Sequence, residues 1–293
     1  MPNRSYKHIV VLSGKGGTGK TTFTASFAKL LQNKIVIDCD VDAANLHLVL
    51  DHSIKEKHDF YGGKKALIDP DKCNQCGMCE SLCRFDAIEN FTVDQMKCEG
   101  CGFCFRACPE NAIGFVPNKS GSFFESELTD QSKFIYARLN PGEGNSGKLV
   151  SEIKKRALKD LPDTIKWVLV DGPPGIGCPV NASIADADYV VIVTEPTLSG
   201  FHDLRRLVEL LKTFKLRCGI IINKYDLNMD ITCKIFDYAN DENIAVVGSV
   251  PFEPEFVNAL IMRKNIVEEN PHLKEEIENI WNKLELQLEI LVN

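Results

Sequence analysis

One glycine-rich stretch constrains the fold of this chain more than any other feature of its sequence. Residues 14–22 follow an apolar run, His8 to Leu12, that predicts a buried strand, and they precede Phe23 to Leu31, whose apolar spacing predicts a helix. A glycine, four further residues and then Gly-Lys-Thr satisfy the phosphate-loop pattern in the strand–loop–helix context that it requires. The sequence therefore predicts an α/β fold that holds a polyphosphate after its first strand.

Glycines let successive backbone N–H groups point at a phosphate, and the start of the following helix adds partial positive charge. We expect Lys20 to reach the β- and γ-phosphates and the Thr21 hydroxyl to bind Mg²⁺. A glycine-rich turn without a ligand is the less favoured alternative. The expected loop residues are Gly14, Lys15, Gly16, Gly17, Thr18, Gly19, Lys20, Thr21 and Thr22.

Acidic residues stand at the ends of two further predicted strands. Lys34 to Asp38 leads to Asp40, and Trp167 to Val170 leads to Asp171. Open α/β sheets place ligands at the carboxyl ends of their strands, so these carboxylates are expected near the metal or the attacking water, with Asp171 holding Mg²⁺ through water. The alternatives are a strand cap for Asp171 and, for Asp40, a cap on a helix predicted at 43–50.

Eight of the twelve cysteines form an internal repeat. A motif with three cysteines spaced by two residues and a fourth after three more begins at Cys73 and recurs 25 residues later at Cys98. This spacing resembles that of bacterial two-cluster ferredoxins, in which the fourth cysteine ligates the other cluster. The resemblance implies one [4Fe–4S] cluster on Cys73, Cys76, Cys79 and Cys108, and another on Cys98, Cys101, Cys104 and Cys83. Zinc sites more often show two separated Cys-x-x-Cys pairs, which makes zinc the weaker alternative.

The repeat indicates an inserted domain. We expect a small ferredoxin-like domain at 64–115, and a nucleotide domain formed by 1–63 and 116–293. The insert has too few other apolar residues to fold without its clusters. Residues 114–132 are expected to lead back to the main sheet, and 140–147 to form a surface loop.

A second lysine inside the phosphate loop gives a family resemblance. Lys15 marks the deviant Walker A ATPases, and the chain resembles the MinD, ParA and Mrp group, relatives of the nitrogenase iron protein. The resemblance implies a doubly wound, mostly parallel sheet and a homodimer in which Lys15 reaches the partner's ATP. It further implies that Asp40 positions the attacking water and that Asn223 contacts adenine, with Pro251 near the base. The Asn-Lys-x-Asp pattern that begins at Asn223 also occurs in GTPases, which leaves GTP as the alternative nucleotide.

Cys178 stands seven residues after Asp171, the offset at which the nitrogenase iron protein places a ligand of its intersubunit cluster. That resemblance gives the hypothesis that Cys178 binds a cluster shared between two protomers. A buried, merely apolar cysteine is the favoured alternative, because no second cysteine is placed to complete four ligands.

Charge and hydropathy limit the partners. The net charge of −7, without a basic stripe, argues against nucleic acid. Met1 to Ser5 lack the apolar core of a signal peptide, and no window approaches a membrane span, so we expect a cytoplasmic protein. A helical stripe from Leu273 to Leu291 has an acidic outer face and is expected to pack on the domain rather than anchor it to a membrane.

The sequence therefore favours an ATPase whose nucleotide-driven dimer changes are coupled to electron transfer through two clusters to a redox or iron–sulfur partner protein. An iron–sulfur carrier of the Mrp kind and a positioning switch without redox work are the alternatives.

Overall fold

The computed structural model describes residue 4 and residues 6–289, which form two compact units. Within that range the first unit comprises the chain up to 57, 123–138 and the chain from 146 onward, and the second comprises 58–122 and 139–145. The insert predicted at 64–115 lies within the second unit, which is wider at both ends. Met1 to Asn3, Ser5 and Leu291 lie outside the described residues.

The described elements alternate between strands and helices through most of the first unit. The strands are β1 (Lys7–Ser13), β2 (Lys34–Asp38), β3 (His52–Ile68), β4 (Ile88–Glu89), β5 (Thr92–Val93), β6 (Ile113–Leu128), β7 (Lys133–Leu139), β8 (Trp167–Pro174), β9 (Tyr189–Thr194), β10 (Cys218–Asn223) and β11 (Ala245–Val250). The helices are α1 (Lys20–Leu30), α2 (Met78–Ser81), α3 (Phe103–Ala107), α4 (Ser146–Ala157), α5 (Cys178–Ile184), α6 (Leu198–Thr213), α7 (Met229–Asp241), α8 (Pro254–Ile261), α9 (Ile266–Glu269) and α10 (Pro271–Glu289). Short 3₁₀ turns lie at Leu46–Leu48 and Tyr225–Leu227.

Nine strands form one sheet, in the order β11-β10-β9-β1-β8-β2-β7-β6-β3. All neighbours from β11 to β7 are parallel. The Leu128 N–H donates to the Ser132 carbonyl in the tight turn between β6 and β7, which makes that pair antiparallel. The first strand therefore lies in the interior of a mostly parallel sheet, and its carboxyl end leads into the phosphate loop.

Both faces of the parallel sheet are covered. Ile9 and Val11 belong to a core cluster that includes residues of α1 and α10, whereas Val10 and Leu12, which alternate with them, are fully buried on the opposite face. The stripe of α10 is part of this core, with Leu273, Ile277, Ile280, Trp281, Leu284 and Leu288 all buried. The prediction that this stripe packs on the domain is confirmed for these residues. None of the described helices is long and apolar enough to cross a membrane.

The second unit has a small core in which cysteines pack together with a few aliphatic residues. Ala66, Ile88, Val93 and Ile113 pack with Cys79, and four more cysteines pack around them. The two halves of the repeat also share a backbone path. Gly77 and Gly102 stand before α2 and α3 with φ angles of 75° and 79°, a left-handed conformation that favours glycine.

One local expectation is wrong. Residues 43–50 form no α-helix, because the carboxylate of Asp38 accepts from the Leu46 N–H and leaves only a 3₁₀ turn there. Residues 114–132 lead back to the main sheet as expected, and most of them themselves form strand β6 of that sheet. Strand β6 and the unpredicted β3 mix exposed and half-buried positions, so they lack the apolar runs by which buried strands are recognised.

Candidate functional sites

The phosphate loop connects β1 to α1 and is braced by the end of β10. Gly19 begins α1 with a φ of 95°, and a Cβ at this position would stand 2.4 Å from Asn223 Nδ2. That amide nitrogen donates to the Thr18 carbonyl at 2.8 Å. The close approach and the left-handed backbone both require glycine at position 19.

Asp171, which lies within β8 three residues before its end, holds the first turn of α1. Its fully buried carboxylate accepts from Thr21 Oγ1 at 2.8 Å and from Thr24 Oγ1 at 2.9 Å. Lys20 Nζ lies 2.8 Å from Asp171 Oδ1. The loop lysine, the hydroxyl expected on Mg²⁺ and this acid are therefore in direct contact, although 150 residues separate Thr21 from Asp171.

Several charged side chains lie close together in this site. Lys20 Nζ is also 3.7 Å from Asp40 Oδ2. Burial lowers the pKa of Lys20, but Asp171, Asp40 and Asp38 raise it by more, so the ammonium group stays charged. Burial raises the pKa of Asp40 against the opposing effect of Lys20. Burial, followed by repulsion from Asp171, raises the pKa of Asp38.

One polar atom of the loop lacks a partner. Thr18 Oγ1 is buried without a hydrogen bond among the described residues, and Gly16 and Gly17 beside it are exposed. A buried hydroxyl without a partner is costly, so a loop of this kind fits an anionic ligand that supplies acceptor oxygens.

Lys15 makes contacts that the sequence did not suggest. Its Nζ lies 2.6 Å from Glu195 Oε1 and donates to the hydroxyls of Thr197 and Ser199 at 3.2 Å. The other oxygen of Glu195 is 3.3 Å from Lys224 Nζ. Burial raises the pKa of Glu195, but the hydrogen bonds from the two lysines lower it by more. Sequence reasoning missed Glu195 and Lys224 as part of this site, and only their positions just after β9 and β10 could have indicated them.

The residues expected near the base have local partners. Asn223 is buried, with Nδ2 on the loop and Oδ1 accepting from the Lys224 N–H at 3.1 Å. Asp226, the acid of the Asn-Lys-x-Asp pattern, accepts from the Phe252 N–H at 2.7 Å, next to Pro251. The segment after β11 is thus tied to the segment after β10. Contact of Asn223 or Pro251 with a base stays a prediction.

The eight repeat cysteines line two cavities of the second unit. The second cysteine set, which we define as Cys98, Cys101, Cys104 and Cys83, lines a cavity of about 360 Å³. The first cysteine set, defined as Cys73, Cys76, Cys79 and Cys108, lines one of about 20 Å³. The grouping is the crossed one that the ferredoxin spacing implies, in which the fourth cysteine of each motif lines the cavity of the other motif.

Cysteine thiols and backbone N–H donors both lie at these cavities. Burial is the main cause that raises the pKa of Cys79 and of Cys104, and electrostatic repulsion from neighbouring thiols also raises it. The N–H groups of Ala66, Ala87 and Ala112 donate to sulfurs of Cys98, Cys83 and Cys108 at 3.3–3.5 Å.

The spacing of the sulfurs limits the ligand that these sets could hold. Among the described residues, no three cysteine sulfurs lie within 4.8 Å of one another. Four sulfurs on one zinc ion, each about 2.3 Å from it, would be closer together than that. The spacing of the described sulfurs therefore argues against a single zinc ion held by four cysteines of either set.

Cys178 is exposed as the first residue of α5, and the backbone of Gly147 packs against it. The favoured alternative, a buried apolar cysteine, is wrong. The cause is its position at the start of a helix that follows the glycine-rich turn after β8, where the side chain points away from the core.

Comparisons with known proteins agree with the fold and the loop. A family model described as CbiA, the CobQ/CobB/MinD/ParA nucleotide binding domain, matches residues 9–266. An uncharacterised protein of Methanocaldococcus jannaschii, MJ0578, is 33% identical over 280 residues, which cover 94% of this chain and 95% of that protein.

Solved structures show the same fold. The structure is similar to that of the cell division ATPase MinD of Pyrococcus furiosus, with a TM-score of 0.56 at 16% identity over 96% of this chain and 99% of that one. It is also similar to an ATP complex of Cyanothece McdA, with a TM-score of 0.58 at 17% identity over 96% and 97% of the two chains. The family match covers most of the chain, including the phosphate loop, Asp40, Asp171 and the Asn223 segment. This chain therefore belongs to the CobQ/CobB/MinD/ParA nucleotide-binding family.

Proposed function

We propose that this chain is an ATPase that carries two [4Fe–4S] clusters and couples nucleotide binding and hydrolysis to electron transfer through them. The observation that carries the proposal is the presence, on one chain, of the Lys20–Thr21–Asp171 arrangement and of two cavities lined by four cysteines each. Each part has a known chemistry, and a single polypeptide that holds both can link them.

At the nucleotide site Lys20 binds the β- and γ-phosphate oxygens, and the loop N–H groups surround them. Thr21 and, through water, Asp171 are placed to hold Mg²⁺, which supplies charge neutralisation between the phosphates when bound. Asp40, whose carboxylate lies 3.7 Å from Lys20 Nζ, orients the attacking water. The ATP complex of the similar Cyanothece protein supports an adenine nucleotide.

In the proposed dimer, Lys15 reaches the nucleotide of the partner subunit. In the single chain its ammonium group is bound by Glu195, Thr197 and Ser199. Reaching the γ-phosphate of a partner requires these contacts to break, and a cation delivered to the transferring phosphate in trans is worth about 10³ to 10⁵ in rate. Nucleotide occupancy and dimerisation are thereby connected through one side chain.

The cysteine sets fit [4Fe–4S] clusters by their chemistry. Each set offers four thiols, which are deprotonated on binding iron, and N–H groups that donate to sulfur. The clusters supply one-electron chemistry when bound. The first set would hold one cluster through Cys73, Cys76, Cys79 and Cys108, and the second set the other through Cys98, Cys101, Cys104 and Cys83.

Anaerobic purification followed by a redox titration tests the proposal. We expect about eight iron and eight sulfide per chain, ATP hydrolysis, and a midpoint potential that differs between the ATP- and ADP-bound protein. A preparation without iron or without nucleotide affinity would overturn it. Identical midpoint potentials in the ATP- and ADP-bound protein would refute the proposed coupling.

A second candidate is an iron–sulfur carrier, which the exposure of Cys178 favours. In that case Cys178→Ala should lower the iron content per dimer and abolish cluster transfer to an apo-acceptor, with hydrolysis unchanged. Retained transfer would exclude this role for Cys178.

A further inference from the structure

The two cysteine sets differ in the residues that follow the fourth cysteine. Cys83 of the second set is followed by Arg84 and Phe85, whereas Cys108 of the first set is followed by Pro109 and Glu110. Arg84 and Phe85 line the cavity of the second set, and Pro109 and Glu110 line that of the first. The residues after the fourth cysteine therefore bring a cation, Arg84, to the second cavity and an anion, Glu110, to the first, one and two positions after the cysteine respectively.

The anion at the first set is fixed in place. Asn74 Nδ2 donates to Glu110 Oε1 at 2.9 Å, and Asn74 Oδ1 accepts from the N–H of Cys76 at 3.1 Å. One side chain thus ties the carboxylate of Glu110 to the backbone of a cysteine of the set. At the second set, Glu99 and Phe85 stand at the positions of Asn74 and Glu110, so the amide and its carboxylate partner are both replaced and this pair cannot form there.

The side chains that line the second cavity have a more positive net charge than those that line the first. Among the described residues that line the two cavities, the second has Arg84 and Glu99, which compensate each other, and the first has Glu110 alone. The second cavity is also the larger, with Phe103 on its wall 56% exposed. Net charge near a cluster is one of the factors that set its reduction potential, because reduction adds negative charge to the ligated group.

We propose that Glu110 and Arg84 make the two cluster sites unequal, so that the first electron to enter this unit is held at the second cysteine set. This inference rests on the proposed function, since it assumes that both sets bind clusters. Each reduction adds one electron, donated by a one-electron reductant, and makes or breaks no bond to the protein. Glu110 opposes the added charge at the first set, and Arg84 stabilises it at the second.

A redox titration of Glu110→Gln and Arg84→Gln, followed by electron paramagnetic resonance, tests the assignment. We expect two steps in the unaltered protein. Glu110→Gln should raise the midpoint of the lower step alone, and Arg84→Gln should lower the midpoint of the higher step alone. Lys119→Gln is the control, because it removes an equal charge from a residue of the same unit that lines neither cavity.

The direction of the shifts decides the result, because two neighbouring clusters repel each other's added electrons even when their surroundings are equal. Shifts of both steps together, shifts in the opposite directions, or shifts no larger than that of Lys119→Gln would overturn the inference. Iron content is measured on every variant. About eight iron per chain with unaltered potentials refutes this inference alone, whereas loss of iron from the unaltered protein refutes the proposed function.

Discussion

Lys15 and Glu195 form an ion pair within one chain, with 2.6 Å between Nζ and Oε1, at a lysine that is 32% exposed in its side chain. Glu195 also binds Lys224, so a single carboxylate connects the phosphate loop with the segment after β10. A lysine held in this way is unavailable to a partner subunit until the carboxylate releases it.

Glu195→Gln should therefore strengthen nucleotide-dependent dimerisation. The amide cannot form the ion pair, and a partly buried pair of this kind is worth about 1 kcal/mol. The proposed dimer releases two such pairs, one per protomer, so we expect a change of roughly 30-fold in the dimer dissociation constant. Analytical ultracentrifugation with a non-hydrolysable ATP analogue measures this constant. Glu209→Gln, on the helix that follows Glu195, is the charge-matched control, and an unchanged constant for Glu195→Gln would count against the release.

Asp40→Asn should separate binding from hydrolysis. The amide keeps the shape of the side chain but loses the charge that orients water, so we expect unchanged ADP affinity and phosphate release about 10²-fold slower. Lys20→Met is the comparison that should lose both, because we propose that its ammonium group binds the phosphates. Equal turnover in Asp40→Asn and the unaltered protein would exclude Asp40 from the reaction.

Cys98→Ser should cost the second unit both iron and stability. Since Cys98 and four other cysteines pack in or against its small core, we expect iron to fall from about eight to about four per chain and the melting temperature to drop. Cys233→Ser, at an exposed cysteine outside both sets, should leave iron content and melting unchanged. Retention of full iron by Cys98→Ser would rule out the assigned ligand set.

Lys154→Met should destabilise the first unit by about 3 kcal/mol, because Lys154 Nζ donates to the carbonyls of Ala182, Ser183 and Ala185 at the end of α5. Burial lowers the pKa of Lys154 to about 8, which still leaves it charged at pH 7. Denaturant unfolding gives the difference. Lys155→Met, one position along on the exposed face, should cost far less, and equal losses would show that the three carbonyls do not depend on the ammonium group.

His8 should make stability depend on pH. Burial, followed by repulsion from Lys154 and Arg4, lowers the pKa of His8 to about 3, below the 6.5 of the unfolded chain. The unfolded state therefore binds the extra proton first, and stability is lost as the pH falls below 6.5, by up to about 1.4 kcal/mol per pH unit. Unfolding at pH 7.0 and 5.5 should show a steeper loss than in His8→Leu. Parallel losses in the two proteins would contradict the effect.

The sequence predicted the parts of the site that depend on short-range patterns. The end of β2 at Asp38 and the loop between β1 and α1 follow from apolar runs and glycine spacing, whereas β8 continues three residues beyond the end predicted at Asp171. The structure brings Lys20, Thr21 and Asp171 together, as the phosphate-loop pattern and the acid after an apolar run led us to expect. Contacts between distant segments were not predictable in this way. Nothing near Lys15 in the sequence indicates Glu195, 180 residues away, as its partner.

The sequence also does not predict the strands that lie outside the parallel part of the sheet. Strands β3 and β6 contribute residues to both units and carry many charged positions, so their patterns resemble those of loops. For the same reason the sequence predicts the end of the insert at 115, near the start of β6, whereas the boundary between the two units falls at 122/123. Periodicity locates a strand only where one of its faces is buried along its whole length.

The hydrogen bond from Asn223 to Thr18 has a consequence for how this protein could diverge. If the same amide also recognises the base, then a substitution at Asn223 that changes the preferred nucleotide also removes a hydrogen bond that holds the phosphate loop. Base preference and the geometry of the phosphate loop would therefore change together in evolution.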